Sequence, residues 1–97
     1  MTSAIAARDE GTVRVITLTR APGNTLGLSV LAALRSEIER AALDPKVRAI
    51  VLASGLPKYF SSGLDLNEIM AMPEEKRPLA FEALLGCYRA LLEAPKP

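Results

Sequence analysis

Ninety-seven residues make at most one small domain or part of one, and a chain of that size buries about 60 to 65% of its unfolded surface. Apolar residues supply 49% and charged residues 24%, an ordinary globular mixture that excludes intrinsic disorder. Twelve Lys and Arg against eleven Asp and Glu leave a formal charge of +1, with no concentrated basic field for a phosphate backbone, so nucleic acid is not an expected partner.

No histidine occurs, and Cys87 is the single cysteine. Within these residues Ser-His and Cys-His nucleophilic machinery, a Cys/His metal cluster and an internal disulfide are therefore excluded. A lone thiol agrees with a reducing compartment. Met1 to Ala7 lack the basic start and long apolar core of a secretory signal, and Asp9-Glu10 follow at once, so export is not expected.

Val13 to Leu18 reads as a strand rich in β-branched residues. It is apolar on both sides after Arg14, which predicts cover on both faces. Arg20 to Asn24 supplies a Pro-Gly turn. From Ser29 onward Val30, Leu31, Leu34, Ile38, Ala41 and Ala42 recur at helical spacing until Asp44-Pro45. The outward Arg35, Glu37, Glu39 and Arg40 predict a solvated face, with Arg35 and Glu39 paired at i,i+4. Val47 to Ala53 is a second strand, and its unbroken Ile50-Val51-Leu52 predicts a place between layers. The longest apolar run, Ala49 to Ala53, is far short of the roughly 20 residues that cross a bilayer, so no membrane span is expected. After a turn at Gly55-Leu56-Pro57, a short helix is predicted from about Gly63 to Met70 and a longer one from about Glu74 to Glu93, with Pro78 in its first turn. Phe81, Leu84, Leu85, Tyr88, Leu91 and Leu92 form a stripe on that helix, read as core or subunit interface. Cys87 on the same stripe reads as a buried small hydrophobe rather than a reactive thiol.

The segment Phe60-Ser61-Ser62-Gly63-Leu64-Asp65-Leu66 carries the chemistry. It brings an extended run into a small-residue turn that opens a helix. With Ser62 as N-cap, Asp65 falls at the third helical position, and Ser62 to Asp65 reads as a capping box. Gly63 lets another molecule approach the backbone. The unpaired first N–H groups of such a helix suit a carbonyl oxygen that gains negative charge, which is half of an oxyanion hole. Taken alone, the same residues also read as a helix cap without a ligand.

Asn24-Thr25-Leu26 ahead of a helix, Asp44-Pro45-Lys46-Val47 through Ala53, and Tyr59-Phe60-Ser61-Ser62 through Ile69 together resemble the N-terminal part of the crotonase superfamily, the enoyl-CoA hydratases and isomerases. The resemblance runs from about Thr12 to the C-terminus. Within it, Gly63-Leu64-Asp65-Leu66 is most similar to the monofunctional Δ3,Δ2-enoyl-CoA (dodecenoyl-CoA) isomerases, because hydratases more often carry a small residue at position 64. Ser62 stands where alanine is common and is small enough to replace it.

The resemblance implies an α/β fold, a crotonase-like spiral of ββα units, with residues 1–97 as the N-terminal part of a single domain that assembles into trimers or hexamers. It implies an acyl-CoA thioester as substrate, no metal, and no cofactor beyond the coenzyme A of the substrate itself. The Leu64 N–H would polarise the thioester carbonyl, with Ser62, Gly63, Leu64, Asp65 and Leu66 lining the site. In an isomerase of fatty-acid β-oxidation, two N–H groups hold the enolate while one glutamate carries a proton between C2 and C4. In the alternative, an enoyl-CoA hydratase, two glutamates orient and activate a water. The second donor and the proton carriers are not among these residues, so the chain alone is expected to be inactive. A chain that ended at Pro97 would be a non-catalytic acyl-CoA-binding or interaction module. The implied location is the cytoplasm of a bacterium or the mitochondrial matrix of a eukaryote.

Asp65 and Glu68 could be imagined as a general base and its partner, but the capping role accounts for Asp65, and neither is assigned the proton. Arg20 and Lys58 flank the turns and could meet the phosphates of coenzyme A, or be solvated turn residues. Asn24 organises its turn or touches the ligand. The Phe81 to Leu92 stripe could also shelter an acyl chain.

Overall fold

The computed structural model describes residues 4–97. β1 (Ile5–Glu10) and β2 (Val13–Leu18) form an antiparallel hairpin around Gly11, whose φ of 60° is a left-handed angle that glycine adopts at little cost. Nothing in the residue pattern predicts a strand at residues 5–10. The segment IAARDE buries only Ile5 and has no apolar alternation to read. Pairing with β2 is what makes it a strand.

From β2 the chain crosses through α1 (Leu28–Leu43) to β3 (Ala49–Ser54), which lies parallel to β2, so that the sheet order is β1-β2-β3. Antiparallel neighbours need only a tight turn, whereas a parallel pair requires a crossover such as this helix. α1 covers the face that carries Ile16 and Leu18, and Val30, Leu31, Leu34 and Ile38 complete one core with them. On the opposite face Val15 is buried, but its register partner Val51 is 44% exposed. The expectation of cover on both faces is therefore met in full only on the helix side.

Beyond β3 come α2 (Leu66–Ala71), a 3-10 turn at Glu74–Lys76, and α3 (Pro78–Glu93). The long helix starts at Pro78 rather than Glu74. Proline is well suited to the first helical position, and the residues ahead of it close their own tighter turn through Arg77 N and Glu74 O. α3 packs along α1. Leu84, Cys87 and Leu91 join the core, while Phe81, Leu85, Tyr88 and Leu92 remain more than half exposed.

The C-terminal end of α1 is tied down by charge. Asp44 accepts from Lys46 N at 2.9 Å and from Arg14 Nη2 at 3.0 Å, and Arg14 also pairs with Asp9 on β1. The Lys46 N–H, aided by the Arg14 guanidinium, holds the Asp44 carboxyl below the usual carboxylate range. Lys96 Nζ donates to Ala41 O at 2.8 Å and Asp44 O at 2.6 Å, satisfying terminal carbonyls with a cation where the helix dipole favours one. Among the described residues no helix is long and apolar enough to cross a membrane.

Candidate functional site

Two loops leave the C-terminal ends of the parallel strands β2 and β3, the place where open α/β sheets usually hold ligands. Asn24 fastens them together. Its backbone sits at φ 53° and its side chain is almost fully buried. Asn24 Nδ2 donates to Ser54 Oγ at 2.9 Å and to Phe60 O at 2.8 Å, and Oδ1 accepts from Arg20 N at 2.8 Å. Ser61 Oγ donates to Asn24 O at 2.7 Å, and Ser62 N donates to Gly23 O at 2.8 Å. A parallel bridge between Leu26 and Leu64 completes the seam, with Leu26 N donating to Gly63 O at 2.8 Å and Asp65 N to Leu26 O at 3.0 Å.

This seam overturns the expected capping box. Residues 63–65 are drawn into the bridge and Gly63 has φ 95°, outside the helical range, so no helix begins there. The N-cap is Asp65, and its carboxylate accepts from Glu68 N at 3.1 Å. Leu64 thus precedes the helix, and its amide owes nothing to a helix terminus.

Leu64 nevertheless differs from its neighbours in its hydrogen bonding. The N–H groups of Ser62, Gly63 and Asp65 are taken by Gly23 O, Ser61 Oγ (3.1 Å) and Leu26 O. Leu64 N–H has no hydrogen-bond partner among the described residues. Gly63 and Leu64 border a cavity of about 270 Å³ that extends to Leu31 and Leu34 on α1 and to Leu84 and Leu91 on α3. Its wall is largely hydrocarbon, apart from the backbone and Ser61 at the loop end.

The other anticipated residues are distributed differently. Ser62, Asp65 and Leu66 do not line this cavity, and Leu66 is 69% exposed. Asn24 serves as an internal strut, with both Nδ2 hydrogens engaged inside the chain and no surface for a coenzyme A phosphate. Arg20 is bound to Asp65 at 3.0 Å and to Thr25 O at 3.1 Å. Lys58 is exposed and has no ion-pair partner among the described residues. Cys87 is buried as expected; its thiol donates to Leu31 O at 3.2 Å, and burial pushes its pKa up. No group of His, Cys, Asp and Glu suited to a metal ion occurs among the described residues.

Sequence reasoning assigned no role to Ser54, Ser61 or Gly27. For Gly27 no signal existed, because Ser29 stands directly before the apolar period; α1 instead starts at Leu28 with Gly27 as N-cap, so its acceptor comes from elsewhere. It comes from Glu68, whose Oε1 accepts from Leu28 N at 3.2 Å.

A family profile described as enoyl-CoA hydratase/isomerase matches residues 8–97. The chain is 36% identical over 80 residues to the enoyl-CoA hydratase ACTT6 of Alternaria alternata, covering 82% of this chain and 26% of that protein. It is 37% identical over 57 residues to the mitochondrial enoyl-CoA delta isomerase 1 of Mus musculus, covering 59% of this chain and 20% of that one. Among solved structures, the enoyl-CoA hydratase of Mycobacterium smegmatis superposes with a TM-score of 0.89 at 34% identity, over 99% of this chain and 38% of the other. The chain thus spans about a quarter of the length of the curated hydratase that it matches. On the strength of the profile match and the shared crotonase fold, the chain belongs to the enoyl-CoA hydratase/isomerase family.

Proposed function

We propose that these residues form the thioester-binding half of an acyl-CoA site, with the Leu64 N–H as one of two oxyanion donors, and that the reaction is Δ3,Δ2-enoyl-CoA isomerisation in fatty-acid β-oxidation. The observation that carries this reading is the Leu64 amide, without a partner among the described residues, beside a largely apolar cavity. A fixed N–H with nothing to bond can meet a thioester oxygen without first breaking another contact. When a base takes the C2 proton, the electron pair moves onto that oxygen and the donor stabilises the negative charge. Reprotonation at C4 then shifts the double bond. The second donor and the proton carrier belong to sequence beyond these residues, and the assembly would be a trimer or hexamer.

The apolar cavity suits the acyl chain. Lys58 is the cation left for a coenzyme A phosphate, because Arg20 is committed to Asp65. The isomerase assignment is supported by Gly63-Leu64-Asp65-Leu66. A hydratase reading is supported equally by the Alternaria relative; both chemistries use the same oxyanion step.

The test uses the full-length protein that carries this sequence, supplied separately with trans-3- and trans-2-enoyl-CoA. Conversion of the first to the trans-2 isomer identifies an isomerase, and hydration of the second to a 3-hydroxyacyl-CoA identifies a hydratase. Leu64→Pro deletes the donor without breaking any hydrogen bond of the chain, and it should lower kcat by about 10² to 10³, with Leu64→Ala far milder. A folded Leu64→Pro enzyme that turns over at the parental rate overturns the donor assignment.

A further inference from the structure

α1 starts without a cap of its own. Gly27 stands at its N-cap and offers no side chain, so the first N–H groups of the helix need an outside acceptor. Glu68 reaches across from α2 to supply one, at 3.2 Å from Leu28 N. Its carboxylate fills the space where a side chain at position 27 would be: a Cβ built on Gly27 falls 1.7 Å from Glu68 Oε2 and 2.8 Å from its Cδ. The glycine and the glutamate are therefore one fitted pair. Glu68 is itself held in place, since its backbone N donates to Asp65 Oδ1 at 3.1 Å and Asp65 is paired with Arg20 at 3.0 Å.

We propose that Glu68 is a positioning residue for the Leu64 amide, an inference that rests on reading Leu64 as an oxyanion donor. Among the described residues Leu64 N–H makes no bond that could aim it. Its direction is set by Gly63 O and Asp65 N, and both of these are bonded to Leu26. Leu26 in turn is followed by Gly27, a residue with wide conformational freedom, and the Glu68 bond to Leu28 restrains the chain on the far side. Releasing that bond lets Leu26 shift, and the Leu64 donor shifts with it through the bridge. A donor displaced by a fraction of an ångström to an ångström costs rate more than ground-state affinity, because its full value is realised only on the developing oxyanion.

Steady-state kinetics on the full-length protein test this, with circular dichroism to verify folding. Glu68→Ala should lower kcat by about 10- to 100-fold while KM changes little. Glu68→Gln keeps an oxygen that can accept from Leu28 N, and should recover most of the lost kcat. Gly27→Ala, which expels the carboxylate, should resemble Glu68→Ala. The double variant Gly27→Ala/Glu68→Ala should be no slower than the slower single variant, because both substitutions remove one shared contact, whereas independent packing losses would multiply. Parental kcat in Glu68→Ala, alongside a crippled Leu64→Pro, overturns the positioning role and leaves the donor standing. Parental kcat in both overturns the donor as well. A Glu68→Gln enzyme as slow as Glu68→Ala, or a multiplied loss in the double variant, also overturns the inference. Should Glu68→Ala not fold, Glu68→Gln and Gly27→Ala carry the same comparison.

Discussion

α1 and α3 each run for 16 residues and each carries a broad apolar stripe, yet α1 buries Val30, Leu31, Leu34, Ile38 and Ala41, whereas α3 buries only Ala80 and Cys87. The cause is the number of partners. α1 lies between the sheet and α3, so apolar side chains on two sides of it find contacts. α3 meets α1 along one side, which buries Cys87, partly covers Leu84 and Leu91, and leaves Phe81, Leu85, Tyr88 and Leu92 outside. Helical spacing reveals which residues share a face. It does not reveal how much of that face is covered.

The sharpest break of this contrast is a truncation in each helix. Ile38→Ala, at a site with no exposed surface, should destabilise the chain by about 2 to 5 kcal/mol through lost burial and a residual cavity. Leu92→Ala, at a residue 85% exposed, should stay within about 0.5 kcal/mol. Urea unfolding at a fixed low protein concentration measures both. Comparable losses would mean that the outer face of α3 is covered in solution.

Cys87 marks the line where α3 touches α1, and it gives a smaller effect. Burial raises its pKa, so the folded state holds the thiol proton more tightly than the unfolded state. The resulting stability is fully present below the ordinary thiol range and is lost as pH rises above that range through the raised folded value. Alkylation at pH 8 should be much slower than for a free cysteine and should reach the free rate in urea. Rapid alkylation under native conditions would show that α3 lifts away from α1 far more readily than its packing implies.

The smallest effect lies at the end of α1. The Asp44 carboxyl is held below its usual range by the Lys46 N–H and Arg14, so its contribution is present above the ordinary carboxylate range and fades as pH falls through the lowered value. Asp44→Asn should flatten the acid limb of a stability-against-pH curve slightly, since the group is solvent-screened. An unchanged acid limb would remove the Arg14–Asp44 pair from the account of that helix end.

Much of the frame was legible in the residues themselves. The period of Val30, Leu31, Leu34 and Ile38 located α1, and β-branched runs located β2 and β3 within a few residues; of the stretch from Phe60 to Leu66 read as the candidate site, Phe60, Ser61, Gly63 and Leu64 border the cavity and Ser62, Asp65 and Leu66 do not. These features are local, repeating at intervals set by the helix and the strand, and a sequence displays such intervals directly. The tertiary structure decided the rest. β1 exists because β2 offers it a partner, and Asp65 rather than Ser62 caps α2 because Leu26 draws residues 63–65 into a bridge. Glu68 caps a helix that begins 40 positions earlier, and Leu64 N–H has no partner among the described residues, whereas Gly23, Ser61 and Leu26 accept from its neighbours. Each of these depends on hydrogen bonds between segments far apart in the chain, whose pairing is chosen only when the sheet and α1 bring the two loops together.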